Sequence, residues 1–444
     1  MLKTFPKGGV HPPENKLSAG QKIESLAIPK QVSIPISQHI GAPAKPLVKK
    51  GDVVKTGQVI AESGGFVSAN IHSSVSGKVA KVDAIMDASG YKRPAVIIDV
   101  EGDEWIETID RSADLKKDFN LEAQDIVKKV LEAGIVGMGG ATFPSHVKLS
   151  IPPGKKADVL ILNGVECEPY LTSDDQLMLE KPEEILVGTQ ILMKALGVNR
   201  AIIGIENNKP DSIKIMTDLA KSYQGIEIQP LKVQYPQGGE KQLIKAVINR
   251  EVPSGGLPID VGAVVHNVGT TFAVYEAIQK NKPLIERVVT VTGKSVSKPC
   301  NLMVRVGTPV SDLIEFAGGL PADTGKVING GPMMGKALNT VEIPVTKGTS
   351  GILIMNEKEA SRREVQNCIR CAKCVSVCPM GLSPYLIQQL SEKAMWDEVE
   401  SEKATDCIEC GSCMYTCPSD RPLLDYIRLG KSTVMSIIRA RQQK

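Results

Sequence analysis

Aromatic side chains make up only 4% of this 444-residue chain, with 6 Phe, 2 Trp and 8 Tyr against 40 Gly and 28 Pro. Small residues and turns must therefore build much of the packing, since few large rings are available to fill a core. No apolar run reaches the roughly 18 residues a membrane-spanning helix needs, and no signal-peptide core opens the sequence. The expected location is the cytoplasm, with any membrane association peripheral. An excess of one charge sign is also missing: 53 Lys and Arg against 50 Asp and Glu leave +3, which argues against nucleic acid as a partner. Cysteine is scarce over the first 367 residues, which hold only Cys167 and Cys300, so a disulfide framework is excluded there. At 42% hydrophobic and 23% charged, the chain has the composition of a globular protein, and its length suits about three domains.

The remaining eight cysteines lie between Cys368 and Cys417. They form two runs of C-x2-C-x2-C-x3-C-P: Cys368, Cys371, Cys374 and Cys378 before Pro379, then Cys407, Cys410, Cys413 and Cys417 before Pro418. This is the bacterial [4Fe-4S] pattern, in which three thiolates wrap one cube and the fourth, before proline, serves the other. Crossed ligation is expected, with Cys368, Cys371, Cys374 and Cys417 on one cluster and Cys407, Cys410, Cys413 and Cys378 on the second. A zinc site uses four ligands from two C-x-x-C pairs and leaves the third regularly spaced cysteine idle. The 28-residue insert between the runs resembles that of α-helical ferredoxins.

Patterning divides the rest. Residues 1–35, rich in Pro and Gly, read as an extended arm. Residues 36–110 read as short strands and turns; LVKKGDVVKTGQVIAE and SSVSGKVAKV resemble the barrel-sandwich fold of biotinyl and lipoyl domains, without the modified lysine between two methionines. Residues 118–283 alternate helix and strand, as in a doubly wound parallel sheet. Asn120 is the expected cap of its first helix, followed by strands at 159–162, 201–205, 226–233 and 263–266. Residues 284–350 suit a β-grasp module, and 360–444 hold the cysteines with helices at 384–404 and 423–439. The architecture expected is multidomain, α/β with α+β.

Ligands in such a sheet sit beyond the carboxyl ends of the strands. Gly137-Met138-Gly139-Gly140-Ala141-Thr142-Phe143-Pro144 is a glycine loop, Asn163 to Pro169 follow one strand, Tyr235, Gly238, Gly239 and Glu240 another, and His266 to Thr270 a fourth. These segments resemble the flavin- and NADH-binding subunit of respiratory complex I. With the GGVHPPENK arm, the lysine-less barrel-sandwich unit and the double cluster tail, nearly the whole chain resembles the C subunits of Rnf electron-transport complexes. The resemblance implies noncovalent FMN, two [4Fe-4S] clusters, and NAD(H) as substrate. It implies that Gly137, Gly139, Gly140 and Lys148 approach the flavin phosphate and ring. By the same likeness Asn163 and Glu166 hold the isoalloxazine, while His266, Asn267 and Thr270, with Tyr235 and Gly238, complete the pocket. Phe143, Glu168 and Glu240 then face the nicotinamide nucleotide. Met138 departs from the arginine of the complex I loop. No residue is assigned a catalytic proton transfer.

The activity implied is electron transfer between NAD(H) and ferredoxin, coupled to ion transport. The implied partners are other Rnf subunits, membrane-embedded ones and an iron-sulfur subunit among them, with ferredoxin reached indirectly, at the cytoplasmic face of the inner membrane. A flavin is the adaptor such a chain requires, because a nicotinamide moves two electrons and a cube one. Rival readings are an NADH-dependent cobalamin reductase and a flavin-free relay subunit used for docking. Cys167 reads as a buried packing residue, and Cys300 carries no role. Arg421, Arg428, Lys431, Arg439, Arg441 and Lys444 against Asp425 make the tail a basic amphipathic helix, suited either to docking on an acidic surface or to packing on the cluster domain.

Overall fold

A computed structural model describes residues 2–442 of the chain. The α/β unit is organised by a four-stranded, wholly parallel sheet in the order Ile226–Leu231, Ala201–Glu206, Val159–Asn163, Ala263–Asn267. Chain order therefore reverses direction between the strands 159–163 and 263–267, and that switch opens a crevice at their carboxyl ends. Alternate residues supply the two faces. Leu160 and Leu162 join the larger core with the helices Pro182–Leu196 and Val268–Gln279, while Val159 and Ile161 face the helix Glu240–Ile248. Each fully buried Leu or Ile contributes roughly 1.5–3 kcal/mol relative to exposure. The helices 182–196 and 268–279 approach closely because position 188 is glycine: a Cβ there would lie 2.4 Å from the Thr271 carbonyl oxygen. Gly188→Ala would force them apart.

Boundaries differ from the pattern reading at several places, the arm expected over 1–35 among them, since Gln31–Pro35 is already a strand of the barrel-sandwich sheet. The first helix is Ala123–Glu132, with Glu122 rather than Asn120 at its N-cap. A helix at Ser173–Glu180 escapes the pattern because its apolar residues, Leu177, Met178 and Leu179, are consecutive and show no helical spacing. The stretch expected as one helix from 384 to 404 is two, Pro384–Glu392 and Trp396–Ser401, since the chain breaks at Ala394 with φ 55°.

Residues 31–100 form the two small sheets of the barrel sandwich: Gln31–Pro35, Lys92–Val100, Gly77–Met86 and Val53–Val54 in one, Lys45–Pro46, Val59–Glu62 and Ile71–His72 in the other. The β-grasp sheet pairs Glu286–Thr292 antiparallel with Cys300–Arg305, and Ile23–Ser25 of the arm adds to its edge in parallel. The arm is thus a connector. Lys3 bridges to Leu231 and Val10 to Tyr235 on the α/β unit, while the Gly9 amide donates to the Val377 carbonyl at 2.9 Å. Gly8, at φ 71°, lies against Cys378; a Cβ would come within 2.6 Å of that residue's carbonyl carbon.

The tail helix Leu423–Gln442 buries Leu423, Leu424, Ile427 and Val434 and packs on the helices 384–392 and 396–401. Of its basic residues Arg428 and Lys431 are turned inward, while Arg439 and Arg441 are exposed. Arg428 and Lys431 both reach Glu409, at 3.1 and 3.0 Å, Lys431 also donates to the Cys407 carbonyl at 2.7 Å, and Arg441 meets Glu400 and Asp397. Lys444 lies outside the described residues. Among the described residues no helix is long and apolar enough to cross a membrane.

Candidate flavin and iron-sulfur site

Asn163 and Asn267 end neighbouring strands and stand opposite each other in register. Their side chains hold the crevice open in different ways. Asn163 donates to the Gly238 carbonyl at 2.8 Å and accepts from the Val165 amide. Asn267 caps the helix Val268–Gln279, accepting from the Gly269 and Thr270 amides at 2.9 and 3.2 Å while donating to Asp174 at 2.6 Å. A capping amide satisfies helix N–H groups that otherwise lack partners, contributing about 1 kcal/mol. The glycine loop closes directly over this cap. A Cβ on Gly139 would stand 3.0 Å from Asn267, and the Met138 amide donates to the Thr270 hydroxyl at 2.8 Å. Met138 itself is buried in the core, and Gly140 faces open space.

Lys148, on the short helix Ser145–Leu149, extends to the same crevice. It donates to the Val265 carbonyl at 3.0 Å and to Glu240 at 2.7 Å. Next to it His266 is buried, and burial together with the Lys148 charge lowers its pKa to about 3. The imidazole is therefore neutral, and its Nε2 has no hydrogen-bond partner. A buried polar atom without a partner costs roughly 1–3 kcal/mol, so this one suits a ligand atom. A glycine loop against a helix N-terminus, a partly exposed lysine and an unsatisfied ring nitrogen at a switch point fit FMN in kind. Gly137, Gly139, Gly140, Lys148, Asn163, Gly238, His266, Asn267 and Thr270 are thus brought together.

Other residues of the expected set are engaged elsewhere. The Glu166 carboxylate accepts from the Ser173 hydroxyl and from the Asp174 and Asp175 amides, capping the helix 173–180. Glu168 accepts from the Met333 and Met334 amides at 3.1 and 2.8 Å, so it joins the α/β unit to the β-grasp module. Burial pushes its pKa up to about 7. Cys167 accepts from the Gly238 amide at 3.3 Å, and desolvation raises its thiol well above the ordinary value. Phe143 is half-buried, its carbonyl accepting from the Gly137 amide.

Two lysines carry no signal in the sequence that marks them. Lys16 of the arm donates to the Glu166, Glu168 and Leu171 carbonyls, and Lys209 donates to the Val165 carbonyl at 2.7 Å. Together they brace the 163–171 loop from both sides. Only the ENK triplet of the arm hints at the first. Beside them a cavity of about 250 Å3 is lined by His11, Glu14, Lys16, Cys167, Glu206, Asn208 and Tyr235.

Seven of the eight motif cysteines separate into two groups, and the groups cross between motifs. Cys378, Cys407, Cys410 and Cys413 line one chamber whose walls are apolar, with Leu382, Ile387, Leu424 and Ile427 among them. Cys378 acts electrostatically on each of the other three, whereas Cys374 feels Cys368 and Cys417. Four thiols in a dry chamber fit a cube of iron and sulfide. The first group touches the α/β unit. Tyr235 donates to the Cys410 carbonyl at 2.8 Å, and Val10, Tyr235 and Cys410 share one apolar cluster.

This combination defines an electron-transfer protein of the flavin and iron-sulfur class. Residues 130–276 match the Nuo51 FMN-binding domain and 360–418 a 4Fe-4S dicluster domain, while 3–103 match the RnfC barrel sandwich hybrid domain and 288–337 an SLBB domain. The chain is 48% identical to the C subunit of the proton-translocating ferredoxin:NAD(+) oxidoreductase complex of Clostridium ljungdahlii, over 90% of this chain and 87% of that one. It is 47% identical to the C subunit of the Na(+)-translocating ferredoxin:NAD(+) oxidoreductase complex of Acetobacterium woodii, over 97% of both. It is 43% identical to the C subunit of the ion-translocating oxidoreductase complex of Rhodobacter capsulatus, over 85% and 73%. The chain belongs to this family, the C subunits of the ion-translocating oxidoreductase complexes known as Rnf.

Proposed function

We propose that this chain takes electrons between NAD(H) and one-electron carriers, as the nucleotide-handling subunit of an Rnf complex that transfers electrons between NAD(H) and ferredoxin and moves ions across the membrane. Bound FMN supplies the exchange between an electron pair and single electrons. The chain's own residues bind and orient. The amides of Gly139 and Gly140, with the ammonium of Lys148, offset negative charge at the crevice, and the neutral His266 offers a polar atom without adding charge. Glu240, partly exposed and paired with Lys148, is the carboxylate this reading assigns to the nucleotide. No side chain is required to move a proton in a hydride exchange.

The observation that carries this reading is the contact of Tyr235 with Cys410, which joins one cysteine group to the α/β unit whose strand ends we assign to the flavin. Proposed partners are the membrane-embedded subunits and an iron-sulfur subunit of the complex, with the chain held peripherally at the cytoplasmic face. Anaerobic reconstitution with iron, sulfide and FMN, followed by NADH, tests it. Bleaching of flavin and then of cluster absorption is expected; a protein that binds no FMN after full cluster assembly would return the chain to the relay reading.

A further inference from the structure

Arg287, on the β-grasp strand Glu286–Thr292, is only 3% exposed. Among the described residues no carboxylate lies within 4.0 Å of it, and Asp174 acts on it from farther away. Its guanidinium instead donates to the carbonyls of Val288, Lys347 and Met138, at 3.2, 2.5 and 3.4 Å. Burial lowers its pKa to about 10, so it is charged at neutral pH. A buried charge satisfied by neutral carbonyls alone is costly, and an anion bound nearby offsets that cost. Lys347 repeats the arrangement: 1% exposed, it donates to the Gly134 and Asn70 carbonyls at 2.7 and 2.9 Å. Gly348 then packs on the glycine loop, where a Cβ would come within 2.6 Å of the Thr142 methyl. The β-grasp module thus grips the segment 134–142 at Gly134, Met138 and Thr142.

In a planar trans peptide the carbonyl and the next N–H point in opposite directions, so fixing the Met138 carbonyl on Arg287 turns the Gly139 N–H away from the guanidinium. Neither that N–H nor the Gly140 N–H after it meets an acceptor among the described residues. Successive free donors beside the N-terminus of the helix Val268–Gln279 make a cradle for an anion. A cation on the carbonyl side polarises the peptide and strengthens the donor on the other side.

We propose that Arg287 is a positioning residue of the flavin site, one that aims the Gly139 and Gly140 amides at the phosphomonoester of FMN and so selects FMN over an unphosphorylated flavin. The assignment rests on the flavin reading above. Arg287 acts through the loop and not on the reacting atoms, and its charge offsets that of the phosphate from behind the peptide it holds. The β-grasp module is then part of the cofactor site and not a spacer between the flavin and cluster units.

The test uses the full chain with both clusters assembled and its flavin removed, titrated anaerobically with FMN and with riboflavin by flavin fluorescence. Arg287→Met keeps an unbranched apolar stem and removes the charge and the carbonyl bonds. It should weaken FMN binding about tenfold or more while riboflavin affinity stays within about twofold of wild type. Arg287→Lys keeps the charge without the planar fork, and its FMN affinity should fall between the two. If Arg287→Met fails to fold, Arg287→Lys carries the test alone, with FMN weaker by about threefold or more and riboflavin unchanged. An equal loss on both flavins makes Arg287 a structural tie between modules and overturns the proposal. Unchanged affinities overturn it too, as does a wild type that binds riboflavin as tightly as FMN. A wild type that binds neither flavin strikes instead at the proposed function.

Discussion

Tyr235 spans two modules: its backbone pairs with Val10 of the arm, and its hydroxyl donates to the Cys410 carbonyl at 2.8 Å in a buried environment. Tyr235→Phe keeps the ring and removes that one bond. The carbonyl left behind is buried, so a loss of about 1–3 kcal/mol is expected at the joint between modules. Differential scanning calorimetry of the holoprotein should show it. FMN content should be retained, because the bond lies on the cluster side of the residue.

Lys148 and Glu240 form an ion pair at the mouth of the crevice, and both are partly solvated, so the pair contributes little to stability. Its removal should read on ligands instead. Lys148→Gln is expected to weaken FMN binding about tenfold, the worth of one charge-assisted contact of about 1.5 kcal/mol. Glu240→Gln should leave FMN affinity within about threefold and raise the KM for NADH. Flavin fluorescence titration and steady-state kinetics with an artificial acceptor separate the two. Equal effects of both variants on FMN would show that the pair acts as one structural unit.

Much of this was legible from spacing alone. Leu160 and Leu162 against Val159 and Ile161 announce a strand buried on both faces, and the doubled cysteine run carries its own crossing rule through Pro379 and Pro418. The glycine loop was legible as a loop, and its seat on Asn267 followed once the sheet order was known. What escaped was long-range. Glu166 and Glu168 sit in one short motif, yet one caps a helix 8 residues on and the other reaches Met333 and Met334 in another module. Nothing local distinguishes them. Lys16 is likewise an ordinary lysine in sequence and a half-buried clamp in the fold, because its three carbonyl partners come from a loop about 150 residues away.

Glu168 also sets a pH dependence. Its folded pKa, about 7, lies above the ordinary 4.5 because the carboxylate is desolvated. The native state therefore holds its proton more tightly than the unfolded chain. The stability this contributes is complete below about pH 4.5 and declines as pH rises through about 7. Glu168→Gln, which cannot ionise, should flatten the fall in stability between those limits by an amount on the order of 3 kcal/mol. Chemical denaturation across that window, in wild type and variant, measures the difference. Parallel curves would show that the carboxylate reaches solvent.

Crossed ligation gives an asymmetric result on single cysteine changes. Cys378→Ser removes a ligand from the chamber shared with Cys407, Cys410 and Cys413, although Cys378 belongs to the first motif. Iron should fall from about eight to about four per chain, and the surviving cluster should be that of Cys368, Cys371, Cys374 and Cys417. Because the lost cluster lies at Tyr235, NADH should still reduce flavin while the remaining cluster is reduced slowly. Were ligation uncrossed, the same substitution would instead spare the cluster beside Tyr235 and leave that transfer fast.

Deleting the residues after Gly430 tests what the basic tail is for. Sequence alone left docking and packing open, and the fold places Val434 in the cluster-domain core with Lys431 bonded to the Cys407 carbonyl and to Glu409. Removing both strips a buried side chain, worth roughly 1.5–3 kcal/mol, and leaves Glu409 with Arg428 as its one remaining cation beside a cysteine ligand. The truncated chain is therefore expected to lose iron from the Cys407, Cys410, Cys413 and Cys378 set first, and to unfold at lower denaturant concentration. A milder deletion after Arg439 keeps Lys431, Val434 and Ile438 and removes Arg441 with its contacts to Glu400 and Asp397, exposed pairs of little worth. Iron should be intact in that second variant. If the longer deletion keeps all of its iron and only membrane recovery falls, the helix serves an external surface and its inward bonds are incidental.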